Sequence, residues 1–301
     1  MTALDSQPQA GNRLESRSPA TSRWYQQARG RLGGTPGMTG LGILVVLIVV
    51  ALAAPVVGGH SPVAIDPGRV LRSPSPGNLF GTDEFGRDVF TRVLFGLRTS
   101  LVVAIASVGL ATLIGLPIGL IAGYFGGVSD MLLMRGIDLL LAFPALLLAI
   151  VMIAILGAGE LVTVLAVGII FVPIITRVVR SAVVVVRGHA YVAGARSRGA
   201  SHWRVMMTHV VPNVLAPVIV QMSVLMGFAI LIESSLAFLG LGVEPPTPDL
   251  GSMLAEGSNF ASQAPWIEVC AGAVLAVTIL AFNLTGRGLQ RGLGVHDELV
   301  R

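Results

Sequence analysis

Six long apolar stretches limit what this chain can fold into. A helix needs about 20 mostly apolar residues to cross the hydrocarbon core of a bilayer. The stretches are Leu41–Val57, Leu101–Ile121, Leu139–Leu156, Leu161–Thr176, Leu215–Ile232 and Val269–Thr285. Prolines fall in or near four of them, where neighbouring helices can satisfy the freed carbonyl groups. The pattern predicts an all-α polytopic membrane protein with six transmembrane helices.

The composition excludes several classes of protein. Only 12% of the 301 residues are charged, whereas a soluble domain carries about 25%. The chain has no lysine, so it can supply neither a Walker A lysine nor a Schiff-base lysine. The single cysteine, Cys270, rules out an internal disulfide and a multi-cysteine zinc site. We expect no catalytic residue, no metal site and no cofactor bound by this chain.

The arginines predict how the chain is oriented. Their excess marks cytoplasmic loops, so the high pI does not indicate nucleic acid. Arginines are concentrated before the first span, after the fourth span and after the sixth span. The loop between the fifth and sixth spans has acidic residues and no arginine. We therefore expect both termini in the cytoplasm and the fifth loop outside.

These spans divide the chain into five parts. They are a disordered cytoplasmic tail (1–38), a first transmembrane helix (39–58), an external loop (59–98), a core of five transmembrane helices (99–290) and a cytoplasmic tail (291–301). A cleaved signal peptide is the alternative for the first span, but the stretch is longer than the usual apolar region of a signal.

The basic segment between the fourth and fifth spans, "YVAGARSRGASHWRVMMTHVVPN", interrupts the apolar pattern. If Tyr191–Met207 is helical, one stripe contains Val192, Ala195, Gly199, Trp203 and Met206. Small residues let another backbone approach, and arginines can pair with carboxylates or lipid phosphates. The segment is either a docking element for another protein or a basic loop that lies on the lipid headgroups.

Three other features are candidate sites. Glu233, at the end of the fifth span, either lies on a translocation pathway or gate, or reaches the membrane interface. Arg135 and Asp138 are spaced to form a structural ion pair on one helical face. Pro245 and Pro246, in the stiff segment "GVEPPTPDLG", belong either to a gate or docking surface, or to a plain structural loop.

The basic segment resembles the EAA loop of ABC importer permeases. The family's acidic-small-small triplet aligns with Ala193-Gly194-Ala195, its glycine with Gly199 and its proline with Pro212. Ala193 replaces the family's acidic residue. Further segments, "LFGTDEFGRDVFTRVLFGLRTSL", "GYFGGVSDMLLMRGIDLLLAFPALLLAI", "ESSLAFLGLGVEPPTPDLGSML" and "AFNLTGRGLQ", resemble the C-type subunit of the dipeptide and oligopeptide branch.

The resemblance implies a type I importer permease in the bacterial inner membrane. Its partners would be a second permease in a heterodimer, two ATPase subunits that bind ATP and Mg, an extracytoplasmic binding protein and the lipid bilayer. The loop at 187–212 would contain the coupling helix. The residues implied to contact an ATPase are Ala193, Gly194, Ala195, Arg196, Arg198, Gly199, Ala200 and Trp203. The implied substrate is a di- or oligopeptide, with nickel or another small solute as the alternative.

Two other function classes, a secondary transporter and an intramembrane enzyme, would leave different features in the sequence. A secondary transporter usually shows repeated halves and broken helices at its substrate site. An intramembrane enzyme needs a nucleophile and base, or metal ligands, within its spans. Since the sequence shows neither set of features, we expect a transport subunit that is not itself an enzyme.

Overall fold

The computed structural model describes residues 34–293, and these residues form a helical bundle with no β-strand. The predicted tails 1–38 and 291–301 lie mostly outside the described residues. The helices are α1 (Thr35–Leu52), α2 (Ala54–Val57), α3 (Val89–Phe125), α4 (Gly127–Leu141), α5 (Ala145–Leu156), α6 (Glu160–Arg187), α7 (Ala190–Ser197), α8 (His202–Val205), α9 (Val211–Phe238), α10 (Leu250–Asn259) and α11 (Pro265–Gly292). A π-helical turn, Met206–Val210, joins α8 to α9.

The predicted six spans appear as five long helices and one bent pair. The helices α1, α3, α6 and α11 are each long and apolar enough to cross a bilayer, and so is the stretch from α8 through α9. The third predicted span is divided into α4 and α5, which meet at an angle of 83°. Pro144 causes this break, because it lacks an N–H and disfavours helical geometry at Phe143. Pro117, Pro173 and Pro217 lie inside helices that continue without a break.

The bundle has two distinct ends. We call the end that carries α7 and α8 the coupling end, and the end that carries Gly58–Asp88 and Leu239–Ala264 the loop end. At the coupling end, the Arg187 guanidinium donates to the carbonyls of Gly123 (2.7 Å) and Tyr124 (3.2 Å). The C-terminal ends of α6 and α3 therefore lie side by side at this end of the bundle. At the loop end, Trp266 Nε1 donates to the Thr82 carbonyl at 3.2 Å. Both ends of the described chain, near Thr35 and Leu293, lie at the coupling end.

A seam of glycines holds α3 against α6. Gly115, Gly119 and Gly123 recur at four-residue spacing and face α6. A Cβ atom at Gly119 would lie 2.6 Å from Val179 Cβ, and one at Gly123 would lie 2.7 Å from Val183 Cβ. Small residues at this spacing let membrane helices approach closely and gain van der Waals contact. This close packing holds α3 and α6 together at the centre of the bundle.

Two predicted boundaries were wrong. The first helix begins at Thr35 rather than at residue 39, because Pro36 sits in its first turn, where a missing N–H costs nothing. The predicted loop 59–98 ends at Asp88, since α3 begins at Val89. The Asp88 carboxylate caps this helix by accepting from the Thr91 backbone N–H at 2.8 Å. The helix thus starts three turns before its apolar stretch.

Candidate functional site

The basic segment at the coupling end folds into two short helices rather than one. The helix α7 ends at Ser197, and Gly199 follows with a φ of +78°, in the left-handed region that favours glycine. Ser201 then caps α8 by accepting from the Arg204 backbone N–H at 3.4 Å. The prediction of one continuous helical stripe was therefore wrong, because the glycine ends the helix that the stripe requires.

This break decides which of the predicted contact residues are exposed. Val192 and Ala195 are buried against the bundle, and Gly194 and Ala200 are half-buried. Trp203 is 66% exposed, an unusual state for so large an apolar side chain. The other exposed members of the predicted set are Ala193, Arg196, Arg198 and Gly199. The segment thus presents a basic surface with one large aromatic residue, which we call the coupling surface.

Contacts to the end of α3 hold the coupling surface in place. The Arg196 guanidinium lies over the Tyr124 ring at 5.2 Å, and His202 Nδ1 lies 3.2 Å from the Tyr124 hydroxyl. His189 stacks on Tyr191, which in turn meets His209 in the π-helical turn. Tyr124 and these histidines therefore position the segment, a role that the sequence did not reveal because the partners are distant along the chain.

At the loop end, Glu233 is buried inside the protein. Its side chain is 0% exposed and lies beside Ser100, Ser234 and Asp249. Asp249 is buried too, and it caps α10 by accepting from the backbone N–H groups of Gly251 (2.7 Å) and Ser252 (3.1 Å). Gly251 packs closely against the backbone of Ser234, where a Cβ atom would lie 2.7 Å from the Ser234 Cα atom. The predicted alternative in which Glu233 reaches the membrane interface was wrong, because α10 covers the side chain. A role for Glu233 on a translocation pathway or gate stays a prediction.

Pro245 and Pro246, by contrast, lie on the surface of the loop end. They precede Pro248 and Asp249, which are buried, so the exposed prolines connect directly to the packed start of α10. Their placement leaves both predicted alternatives, a gate or docking surface and a structural loop, as predictions.

A second buried cluster consists of charged residues. It connects α10 to the loop that precedes α3 and to the first turn of α3. Arg92 is 2% exposed and donates to Glu256 Oε2 at 2.9 Å. Arg87 Nε pairs with Asp83 Oδ2 at 2.5 Å. The sequence showed these charges only as a mixed loop, and the fold assembles them from segments more than 160 residues apart.

The carboxylates of this cluster come close together. Oxygen atoms of Asp83, Glu84 and Glu256 lie within 4.8 Å of one another, a spacing that a cation could use. Here Arg87 and Arg92 supply positive charge to the same three carboxylates. Burial raises the pKa of Glu256 above its ordinary value of 4.5, although the nearby arginines oppose this change. The ion pairs of this cluster thus hold the loop before α3 against α10.

The predicted ion pair between Arg135 and Asp138 was wrong. Asp138 instead pairs with Arg177 of α6, with 2.6 Å between Oδ1 and Nη2. Asp130, closer to the start of α4, forms a two-bond pair with Arg180, at 2.5 and 2.6 Å. The two carboxylates of α4 therefore pair with arginines of the neighbouring helix α6 and not with an arginine of their own helix.

The described residues thus form a membrane-spanning helical bundle with a basic segment at one end and a loop-rich cap at the other. Two solved ABC transporters share this fold. The chain superposes on a structure described as inward-facing conformations of the MetNI methionine ABC transporter with a TM-score of 0.54, at 16% identity, over 65% of this chain and 93% of that one. An amino acid ABC transporter crystallised with histidines gives a TM-score of 0.52, at 16% identity, over 67% and 94% of the two chains.

Sequence comparison identifies the family. Residues 115–294 match the model of the binding-protein-dependent transport system inner membrane component. The dipeptide transport permease DppC of Alkalihalophilus pseudofirmus is 39% identical, over 93% of this chain and 92% of that one. The di/tripeptide permease DppC of Pseudomonas aeruginosa is 36% identical, over 97% of each chain. The chain belongs to the binding-protein-dependent transport system inner membrane component family.

Proposed function

We propose that this chain is a transmembrane subunit of an ATP-driven importer that moves di- or oligopeptides into the cytoplasm. The observation that carries the proposal is the 39% identity to a dipeptide permease over almost the entire length of both chains. The exposed coupling surface supports it, because a transport subunit without a phosphate-binding lysine needs contact with a separate ATPase.

The coupling surface is the site at which we place the ATPase contact. Trp203 offers a large apolar anchor, and Arg196 and Arg198 offer charge for a complementary acidic groove. Two ATPase subunits bind ATP and Mg, and this chain binds neither. A second permease completes a heterodimer, and an extracytoplasmic binding protein delivers peptide at the loop end. ATP binding and peptide delivery then bias one equilibrium between inward-facing and outward-facing states.

The coupling end faces the cytoplasm in this proposal. Its basic segment follows the positive-inside rule, and both ends of the described chain lie at the same end of the bundle. In intact cells of a Cys270→Ala background, a membrane-impermeant thiol reagent should label Thr247→Cys and leave Ser197→Cys unlabelled. The opposite pattern would reverse the orientation.

The substrate class separates the proposal from its alternative, an importer of nickel or another small solute. A relative named as a glutathione permease, from Pectobacterium atrosepticum, is 40% identical over 75% of each chain, and glutathione is itself a small peptide. The test is growth of an amino acid auxotroph on di-, tri- and longer peptides, in a strain that lacks its other peptide importers. Deleting this gene should abolish growth on at least one peptide class, and restoring the gene should recover it. Peptide uptake that does not change on deletion would refute the peptide substrate.

A further inference from the structure

Two neighbouring carboxyl groups at the loop end, those of Glu233 and Asp249, are both fully buried. Glu233 Oε2 accepts from the Ser234 hydroxyl at 3.2 Å, and Asp249 Oδ1 accepts from the two backbone N–H groups that it caps. The second oxygen of each group, Glu233 Oε1 and Asp249 Oδ2, has no hydrogen-bond partner among the described residues. A buried polar atom without a partner destabilises a fold, so these two oxygens need a donor.

No positive charge accounts for these oxygens. Within residues 34–293, no arginine or histidine nitrogen lies within 4.0 Å of either carboxylate. Arg92 belongs to α3 but pairs with Glu256, which follows Asp249 by about 10 Å along α10. The two buried carboxyl groups therefore lie outside the ion-paired cluster at the other end of that helix.

The other helices that pack against α9 and α10 bring no compensating charge at the loop end. On α3, Ser100 lies beside Glu233, and its buried hydroxyl is uncharged and lacks a partner. On α11, Glu268 packs on Gly257 near the C-terminal end of α10, and the thiol of Cys270 is uncharged at neutral pH. Glu160 of α6 is exposed. The carboxyl pair is thus enclosed by uncharged groups from three helices.

Two ionised carboxylates are not stable together at such a site. Each loses its hydration on burial, and each negative charge raises the cost of the other. Asp249 is the better placed to stay ionised, because two backbone N–H groups at the start of α10 donate to it. A proton on Glu233 Oε1 removes the second charge and can be donated to Asp249 Oδ2. One proton therefore satisfies both of the oxygens that lack a donor.

We propose that Glu233 and Asp249 share one buried proton, and that this proton locks the start of α10 onto α9. The start of α10 also packs on α3, where a Cβ atom at Gly96 would lie 3.1 Å from the Leu250 backbone nitrogen. Loss of the proton leaves two adjacent negative charges, whose repulsion separates α10 from α9. The folded chain holds this proton at a pH where the unfolded chain does not, so the stability that the lock provides falls as the pH rises.

Infrared difference spectroscopy of the purified transporter at neutral pH tests for the proton, because a carboxylic acid and a carboxylate absorb in separate bands. The spectrum of the wild type minus that of Glu233→Gln should contain one carboxylic acid band, which shifts in heavy water. Asp249→Asn should lose the same band, because its amide donates to Glu233 in place of the proton. Glu244→Gln is the control, since Glu244 is exposed at the same end of the bundle. Absence of the band from the wild type, or its persistence in Asp249→Asn, would overturn the shared proton.

Hydrogen exchange of the α10 backbone, followed by mass spectrometry of residues 250–259, tests the lock. The amide of Glu233→Gln can donate to Asp249 at every pH, so α10 should stay protected in this variant. At alkaline pH, α10 of the wild type should exchange at least about tenfold faster than α10 of the variant, whereas at neutral pH the two should match. Comparison at the same pH cancels the intrinsic change in exchange rate.

Equal exchange in the wild type and Glu233→Gln at alkaline pH would overturn the lock. Replacing sodium by a large organic cation at constant ionic strength should leave the protection of α10 unchanged. Protection that requires sodium would show that a metal ion lies between the carboxylates, and it would overturn the proton. Because neither measurement uses a substrate, both outcomes stand whatever solute the transporter carries.

Discussion

Gly119 of α3 and Val179 of α6 pack so closely that a methyl group at position 119 would lie 2.6 Å from Val179 Cβ. It would also lie 2.7 Å from the carbonyl oxygen of Thr176, which belongs to the backbone and cannot rotate away. The contact lies midway along the seam between α3, whose last turn contacts the coupling surface through Tyr124, and α6, which leads into it. A change at Gly119 therefore tests whether close helix approach maintains the whole arrangement.

Gly119→Ala should destabilise the protein by about 1–3 kcal/mol, because overpacking forces the helices apart. The measurement is the thermal unfolding midpoint of the purified transporter in detergent. Gly109→Ala is the matched control, since Gly109 lies on the same helix and a Cβ there meets nothing within 4 Å. Equal midpoints for the two variants would show that the seam is not tightly packed.

Arg92 gives a second stability prediction, at the loop end. Arg92→Met keeps much of the side-chain volume but leaves Glu256 and Asp83 without one of their cations. Removing one partner of a buried ion pair costs about 3–5 kcal/mol, so we expect a large loss of thermal stability. Arg98→Met, at an exposed position two turns along α3, should unfold like the wild type. If Arg92→Met unfolds at the same temperature as the wild type, the cluster makes no net contribution to the free energy of unfolding.

The sequence predicted the spans well because hydropathy depends only on local composition, so Leu101–Ile121 and Leu161–Thr176 fall within α3 and α6. It could not predict partners that meet only in three dimensions. Asp138 has an arginine three residues away along its own helix, yet pairs with Arg177 across to α6. Glu233 ends an apolar run, as an interfacial residue would, but α10 packs over it. The signal for the break at Gly199 was the glycine itself, because a φ of +78° favours this residue. The contact of Gly199 with an ATPase stays a prediction.

The raised pKa of Glu256 predicts how stability depends on pH. A carboxyl whose pKa is higher in the folded state binds its proton more tightly there than in the unfolded chain. Its contribution to folding is thus complete below the unfolded value, near 4.5, and is lost as the pH rises through the folded value. Glu256→Gln cannot titrate, so its stability should fall less than that of the wild type over this window.

Thermal unfolding of the purified transporter at several pH values above and below 4.5 would measure this difference. Glu244→Gln is the control, because Glu244 is exposed on the same end of the bundle. The prediction is wrong if the wild type and Glu256→Gln lose stability in parallel, since another group would then account for the pH dependence.

Trp203 provides the test of the coupling surface. The Trp203 ring is exposed and lies outside the buried core. Trp203→Ala should therefore leave the folding of the chain and its amount in the membrane unchanged. If the ring anchors an ATPase subunit, its loss should weaken that contact by about 2 kcal/mol or more, as for a central aromatic residue of an interface. Peptide uptake and the amount of ATPase that co-purifies should then fall together. Leu52→Ala, an equally exposed apolar position on α1 at the loop end, should retain both. If Trp203→Ala shows full uptake and full recovery of the ATPase, Trp203 does not contribute to ATPase binding. The neighbouring arginines of the coupling surface would then have to provide the contact.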